Sequence, residues 1–137
     1  MAKTVRLDLV TPEKIVLSDE VTMVVARATD GDLGILPGHA PLIAALDYWP
    51  VRIMREGGEQ QISVCSGFIE VQPDKVTILA GCAELPESID VKRAQASKER
   101  AEERLKAKSA DIDMARAELA LRRAIMRLRV AEYAGKR

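Results

Sequence analysis

The side chains best equipped for chemistry in this sequence are six arginines in two matching rows. Residues 89–105 and 112–128 are identical at eight of 17 positions, following I-D-x-x-R-A-x-x-x-x-x-R-A-x-x-R-L at an offset of 23. Arg93, Arg100 and Arg104 in the first copy correspond to Arg116, Arg123 and Arg127 in the second. On a helix, at 100° per residue, each row lies beside a narrow stripe, Ala94, Ala101 and Leu105 or Ala117, Ala124 and Leu128. Two helices packed antiparallel on these stripes are related by a local two-fold axis that keeps a front row at the front. All six guanidinium groups are therefore expected to rim one face. A turn near residue 110 sets Arg93 level with Arg127 and Arg100 near Arg123.

Such a face is built for anions. The guanidinium group is always charged and matches phosphate or carboxylate bidentately. Its cost is like-charge repulsion at i,i+4 between Arg100 and Arg104 and between Arg123 and Arg127, about 0.2–0.5 kcal/mol per exposed pair. Glu99, Glu102 and Glu103 offset this in the first copy. In the second, no acid lies between Glu118 and Glu132, a stretch that carries four arginines. Two readings stay open at this level: a solvated basic face, or a site for a nucleotide phosphate or an acidic patch on a partner.

The elements that position these arginines are two helices. After Pro86 there is no proline, and the single glycine is Gly135. Each copy opens on an aspartate, Asp90 or Asp113, suited to accept the orphan amide protons of a first turn. Ile89 precedes the cap and is placed to pack on Ala94 as a hydrophobic staple. Residues 106–111 supply a short turn, giving an antiparallel hairpin. An alanine-and-leucine seam buries little, and helices of this length are marginal alone. The hairpin must lean on the rest of the chain, a partner or a ligand, and an element held that weakly is releasable.

The preceding region reads as β-structure. Val5, Leu7 and Leu9 alternate with polar residues, as do Val21, Met23 and Val25. Residues 51–54, 61–64, 68–71 and 75–79 follow, separated by Asp30-Gly31, Gly57-Gly58, Ser66-Gly67 and Pro73-Asp74. Short strands at this spacing predict an antiparallel sandwich or barrel, and a small sandwich is the expectation here. The expected organisation is therefore an all-β N-terminal sandwich, residues 1–85, followed by an α-helical antiparallel hairpin, residues 86–137. Charge divides at the same place. Residues 1–88 carry 7 basic and 13 acidic side chains, a balance of −6, and residues 89–137 carry 14 and 8, a balance of +6.

The formal net charge of zero argues against a protein that coats nucleic acid by bulk charge. No run of 18 uncharged apolar residues exists to span a membrane, and Met1–Thr4 leads straight into a strand pattern, so no secretory signal is expected. Cys65 and Cys82 lack zinc-site or redox-motif spacing and are expected as reduced thiols, Cys65 in the core. The segment Gly31–His39 is glycine-dense, lacks the Gly-Lys-Ser/Thr ending of a phosphate-binding loop, and reads as a turn-rich connection. His39 has no Ser or Cys at a motif spacing. With no acid–base carboxylate pair, the chain is not expected to be an enzyme, and no metal site is expected.

The segment Gly31-Asp32-Leu33-Gly34-Ile35-Leu36-Pro37-Gly38-His39-Ala40-Pro41-Leu42 resembles the hallmark of the epsilon-subunit family of bacterial F-type ATP synthases. Thr11-Pro12-Glu13, Ser66-Gly67-Phe68-Ile69-Glu70-Val71 and Ala83-Glu84-Leu85 look like further family segments, and the hairpin matches the family's C-terminal domain. The resemblance implies a sandwich of about ten strands and a non-catalytic rotor subunit between the gamma subunit and the c-ring, peripheral at the cytoplasmic face of the bacterial membrane. It implies that the hairpin extends toward the alpha and beta catalytic subunits to inhibit ATP hydrolysis. Rotor contacts are expected around Asp32 and His39, and contacts of the extended hairpin through Arg122 and Arg129. Some members bind ATP through I/L-D-x-x-R-A, here Ile89-Asp90-Val91-Lys92-Arg93-Ala94. Carried over, the site is Glu84, Ile89, Asp90, Arg93, Ala94, Arg100, Arg123 and Arg127. ATP is then a regulatory ligand, no cofactor is required, and Mg²⁺ need not take part. The alternative function is a free-standing nucleotide or anion sensor using the same hairpin; co-purification with a gamma-like chain separates the two.

Overall fold

The computed structural model describes residues 3–107 and 109–135. Met1 and Ala2 of the N-terminal reading, Lys108 of the turn, and Lys136 and Arg137 lie outside them. The elements are β1 (Val5–Val10), β2 (Ile15–Val21), β3 (Met23–Ala28), β4 (Gly31–Ile35), β5 (Leu42–Leu46), β6 (Val51–Arg55), β7 (Gly58–Val71) and β8 (Lys75–Glu84). A 3-10 turn at Pro86–Ser88 then leads to α1 (Val91–Ala107) and α2 (Met114–Gly135). The architecture is the expected sandwich followed by a helical hairpin, with eight strands rather than about ten. The count is lower because β7 and β8, of 14 and 10 residues, each run through both layers unbroken.

Hydrogen bonding runs β2-β1-β8-β7-β5-β3-β4, with β6 bridging β3 and β7. Strand β7 joins the layers: its residues 58–62 pair with β6 and its residues 67–71 with β5, while β8 accompanies it across both. Midway, the core-facing side changes. Ile62 and Val64 are buried, and so are Ile69 and Val71, which have the opposite parity; on β8 the side changes after Ala80. The bend lies at Ser66, φ 44°, and Gly67, φ 151°. This is how one strand serves two packed sheets.

Val5, Leu7 and Leu9 face the core as their alternation requires. The alternation of Val21, Met23 and Val25 does not hold. Val21 is buried, but the core-facing residues of β3 are Val24, Ala26 and Ala28. Thr22 interrupts the strand, its amide and hydroxyl both donating to the Met54 carbonyl at 2.8 and 2.9 Å, and the interruption shifts the parity. Residues 31–35, read as connection, form β4, antiparallel to β3. The cysteines also differ from expectation. Cys65 and Cys82 are directly opposed across β7 and β8, 5.2 Å apart at Cα, and their sulfurs are bonded. Cys65 is buried, on the side of β7 away from Val64.

Both helix starts form as the repeat requires. The Arg93 amide donates to Asp90 Oδ1 at 3.0 Å and the Arg116 amide to Asp113 Oδ1 at 3.1 Å. The buried seam is Ala94 and Ala101 on α1 against Ala117 and Ala124 on α2. Asp90→Ala is expected to weaken the first turn of α1 by about 1 kcal/mol, the usual worth of such a cap. Amide hydrogen exchange at Arg93 should accelerate while that at Arg116 stays unchanged.

Candidate functional site

Helix α2 has two working sides. Ala117 and Ala124 face α1, while buried Met126 and Val130, one turn apart, supply the side that packs on β7. Arg122 and Arg129 flank that second side. Arg122 Nη1 reaches Asp47 Oδ1 at 3.4 Å, and the Arg129 guanidinium lies over the Trp49 ring, 4.6 Å from its centroid. Trp49 also carries Arg27 at 3.8 Å, and Arg27 in turn bonds Asp32 at 2.9 Å. That hydrogen bond holds the Asp32 carboxyl below its ordinary value of 3.8 against an opposing desolvation, with the charges of Arg27 and Arg52 helping. A cleft of about 390 Å³ lies here between sandwich and hairpin, lined by Arg27, Asp32, Trp49, Arg52, Arg129 and Tyr133 among others.

Arg123 and Arg127 are both half-buried. Arg127 Nε donates to Glu84 Oε1 at 2.5 Å, joining α2 to the last residue of β8. Among the described residues, Arg123 has no acidic partner. Ile89 is buried beside the 3-10 turn, which itself packs on α2. Asp90 caps α1, Arg93 is exposed in its first turn, Ala94 is buried in the seam, and Arg100 donates to Ser97 Oγ at 3.1 Å. The short connection makes the helices antiparallel, so the start of α1 lies beside the later half of α2. The Glu84–Arg127 pair and the packing of the 3-10 turn on α2 thus bring Glu84, Ile89 and Arg127 to the entry of the hairpin, where Asp90 caps α1. The four arginines of residues 122–129 do not form one outward surface. Arg122, Arg127 and Arg129 are each held to the sandwich, by Asp47, Glu84 and Trp49 respectively, and Arg123 is half-buried.

A second surface lies on the sandwich. Phe68, Leu79 and Ile43 are 58%, 57% and 70% exposed, too much for strand residues with no cover. Register aligns Ala45, Phe68, Leu79 and Val10 across β5, β7, β8 and β1. Phe68, Leu79, Val10 and Ala45 border a groove of about 710 Å³. The hallmark residues lie elsewhere: Asp32 on β4, paired to Arg27, and His39 in the following loop, its Nδ1 2.7 Å from the Ala40 carbonyl.

Two family descriptions match this chain: ATP synthase, Delta/Epsilon chain, beta-sandwich domain over residues 4–86, and the long alpha-helix domain of the same chain over 87–132. The chain belongs to the ATP synthase Delta/Epsilon family. The ATP synthase epsilon chain of Desulforamulus reducens is 51% identical over 132 residues, spanning 96% of this chain and 100% of that one. That of Bacillus velezensis is 53% identical over 129 residues, 94% and 98% of the two chains. This Delta/Epsilon family member is accordingly a non-catalytic component of ATP synthase. Its fold is similar to a chain of the Euglena gracilis mitochondrial ATP synthase, solved with OSCP, F1 and c-ring. The TM-score is 0.79 at 21% identity, over 98% of this chain and 82% of that one. A chain of the Tetrahymena thermophila mitochondrial central stalk and c-ring gives 0.58 at 16%, over 97% of both.

Sequence reasoning missed the anchors Asp47 and Trp49 and the apolar row. Signals for both were present. Trp49 is the only tryptophan in a chain with 3% aromatic residues. Phe68-Ile69 and Ile78-Leu79 are adjacent apolar residues on strands, which puts one of each pair on the outer face.

Proposed function

We propose that this chain is a central-stalk rotor subunit that couples the c-ring to gamma and regulates ATP hydrolysis through its hairpin, with ATP favouring the folded state. The observation that carries the regulatory part is the arginine rim of the folded hairpin, closed at one end by the Glu84–Arg127 pair. Arg93, Arg100, Arg123 and Arg127 take the phosphates, and Glu84, Ile89 and Asp90 face the nucleoside. The residues suit an anionic ligand. Half-buried Arg123 lacks an acidic partner among the described residues, and Arg127 has one carboxylate, which a phosphate would replace. Mg²⁺ need not be a required ligand, because guanidinium groups can neutralise the phosphates. Binding to the folded hairpin alone stabilises it by mass action, about 2.7 kcal/mol at a hundredfold excess over Kd.

When released, α2 presents Arg122, Arg123, Arg127 and Arg129 to acidic surface on the alpha and beta subunits. The apolar row around Phe68 and Leu79 is the sandwich's docking surface for gamma, because a strip of that exposure marks an interface. Residues of the Gly31–Leu42 segment contribute to the rotor contact, with His39 in the loop after β4 and Asp32 near the other end of that strand. The subunit is then peripheral, at the cytoplasmic face of the membrane; no helix among the described residues is long and apolar enough to cross it.

Calorimetry on the full chain tests the ATP site. Wild type should bind one ATP, and Arg93→Ala and Arg127→Ala should each weaken it about tenfold or more, the worth of a hydrogen bond to a charged group. No heat at millimolar ATP, or equal affinity in all three, would remove the site and leave the arginines as a surface for protein partners.

A further inference from the structure

We propose that Cys65 and Cys82 form a reversible thiol–disulfide site, with Cys82 the reacting thiol and Cys65 the resolving one. The two residues are directly opposed, 5.2 Å apart at Cα, within the 4.4–6.8 Å that a disulfide spans. Ladder pairs on both sides hold them there: Val64 with Ala83, and Gly67 with Ala80. The bend at Ser66–Gly67 adds a close backbone approach, since a Cβ on Gly67 would lie 2.1 Å from the Leu79 carbonyl oxygen. The backbone geometry that closes the bond is therefore set by the strand pair, and opening or closing it requires no refolding.

Exposure assigns the roles. Cys65 is 8% exposed, whereas Cys82 is half-buried and reachable from solvent. A small disulfide such as oxidised glutathione is the oxidant. The Cys82 thiolate attacks one of its sulfurs, forming a mixed disulfide and expelling one glutathione thiolate. The Cys65 thiolate then attacks Cys82 Sγ, closing the protein bond and expelling the second. The two protons lost by the cysteines end on two reduced glutathiones. A dithiol reverses the reaction, so the state follows the ambient thiol poise. Cys82 stands two residues before Glu84 on the same side of β8. The bond thus staples the strand end whose carboxylate holds Arg127 and the hairpin.

The test uses the full reduced chain, oxidised glutathione and mass spectrometry of alkylated protein. Wild type should lose both thiols, gain no lasting adduct, and recover both with dithiothreitol. Its oxidised form should melt about 5–10 °C higher than the reduced form. Cys65→Ser should accumulate a stable glutathione adduct at Cys82, and Cys82→Ser should react at least about tenfold more slowly, because its thiol is covered. Two adducts on wild type, disulfide-linked dimers, or no reaction at either cysteine would overturn the proposal. The wild-type masses decide bond formation even where a variant fails to fold.

Discussion

Gly67→Ala is expected to cost about 3–5 kcal/mol, a large part of a small domain's stability. A Cβ there would lie 2.1 Å from the Leu79 carbonyl oxygen and 2.9 Å from Ala80 Cα. Both are backbone atoms of the paired strand, so no side chain can swing aside. The residue's φ of 151° adds strain for any side chain. Separating β7 from β8 to relieve the clash would open the corner where both strands pass between layers. Gly81→Ala, on the opposite strand, is the control: its nearest contact is the Cys65 carbonyl oxygen at 3.4 Å. Urea denaturation should show a markedly lower midpoint for Gly67→Ala and a shift below about 1 kcal/mol for Gly81→Ala. Similar midpoints would mean that the corner relaxes without resistance.

The second large effect concerns hairpin release. Asp47→Ala with Trp49→Ala removes the sandwich side of two anchors, the Arg122 ion pair and the Arg129 stack. The exposed ion pair contributes little, and the cation–π contact and lost ring packing more. Together they are worth about 2 kcal/mol, or roughly thirtyfold in favour of the released hairpin. Amide exchange along α2 should accelerate by that factor. If the released hairpin inhibits, ATPase activity of the assembled complex should fall. Replacing Arg122, Arg123, Arg127 and Arg129 together by alanine also frees the hairpin, since three of the four hold it to the sandwich. That variant additionally lacks the charges for the catalytic subunits, so activity should rise. Equal activity in both variants would show that neither docking nor charge governs inhibition.

The helical half was legible because its determinants are local. Asp90 and Asp113 cap turns three residues away, and an alanine recurring at seven residues meets its counterpart wherever two such helices pack. The alternation in β1 was legible for the same reason. Its neighbour failed because one residue, Thr22, is drawn to the carbonyl of Met54, 32 positions away, and a shift of one residue exchanges the faces of a strand.

By itself, then, the sequence determined a sandwich joined to a capped hairpin, the alanine seam and the arginine rows, since period and caps act within a few residues. Tertiary structure alone decided which arginines are held: Arg122 by Asp47, Arg127 by Glu84 and Arg129 by Trp49, across separations of 75, 43 and 80 residues (129 − 49). It also decided that Cys65 meets Cys82 and that Phe68 and Leu79 face outward. Each depends on which strands pair and where two of them bend, and those outcomes come from packing the whole sandwich rather than from any one segment.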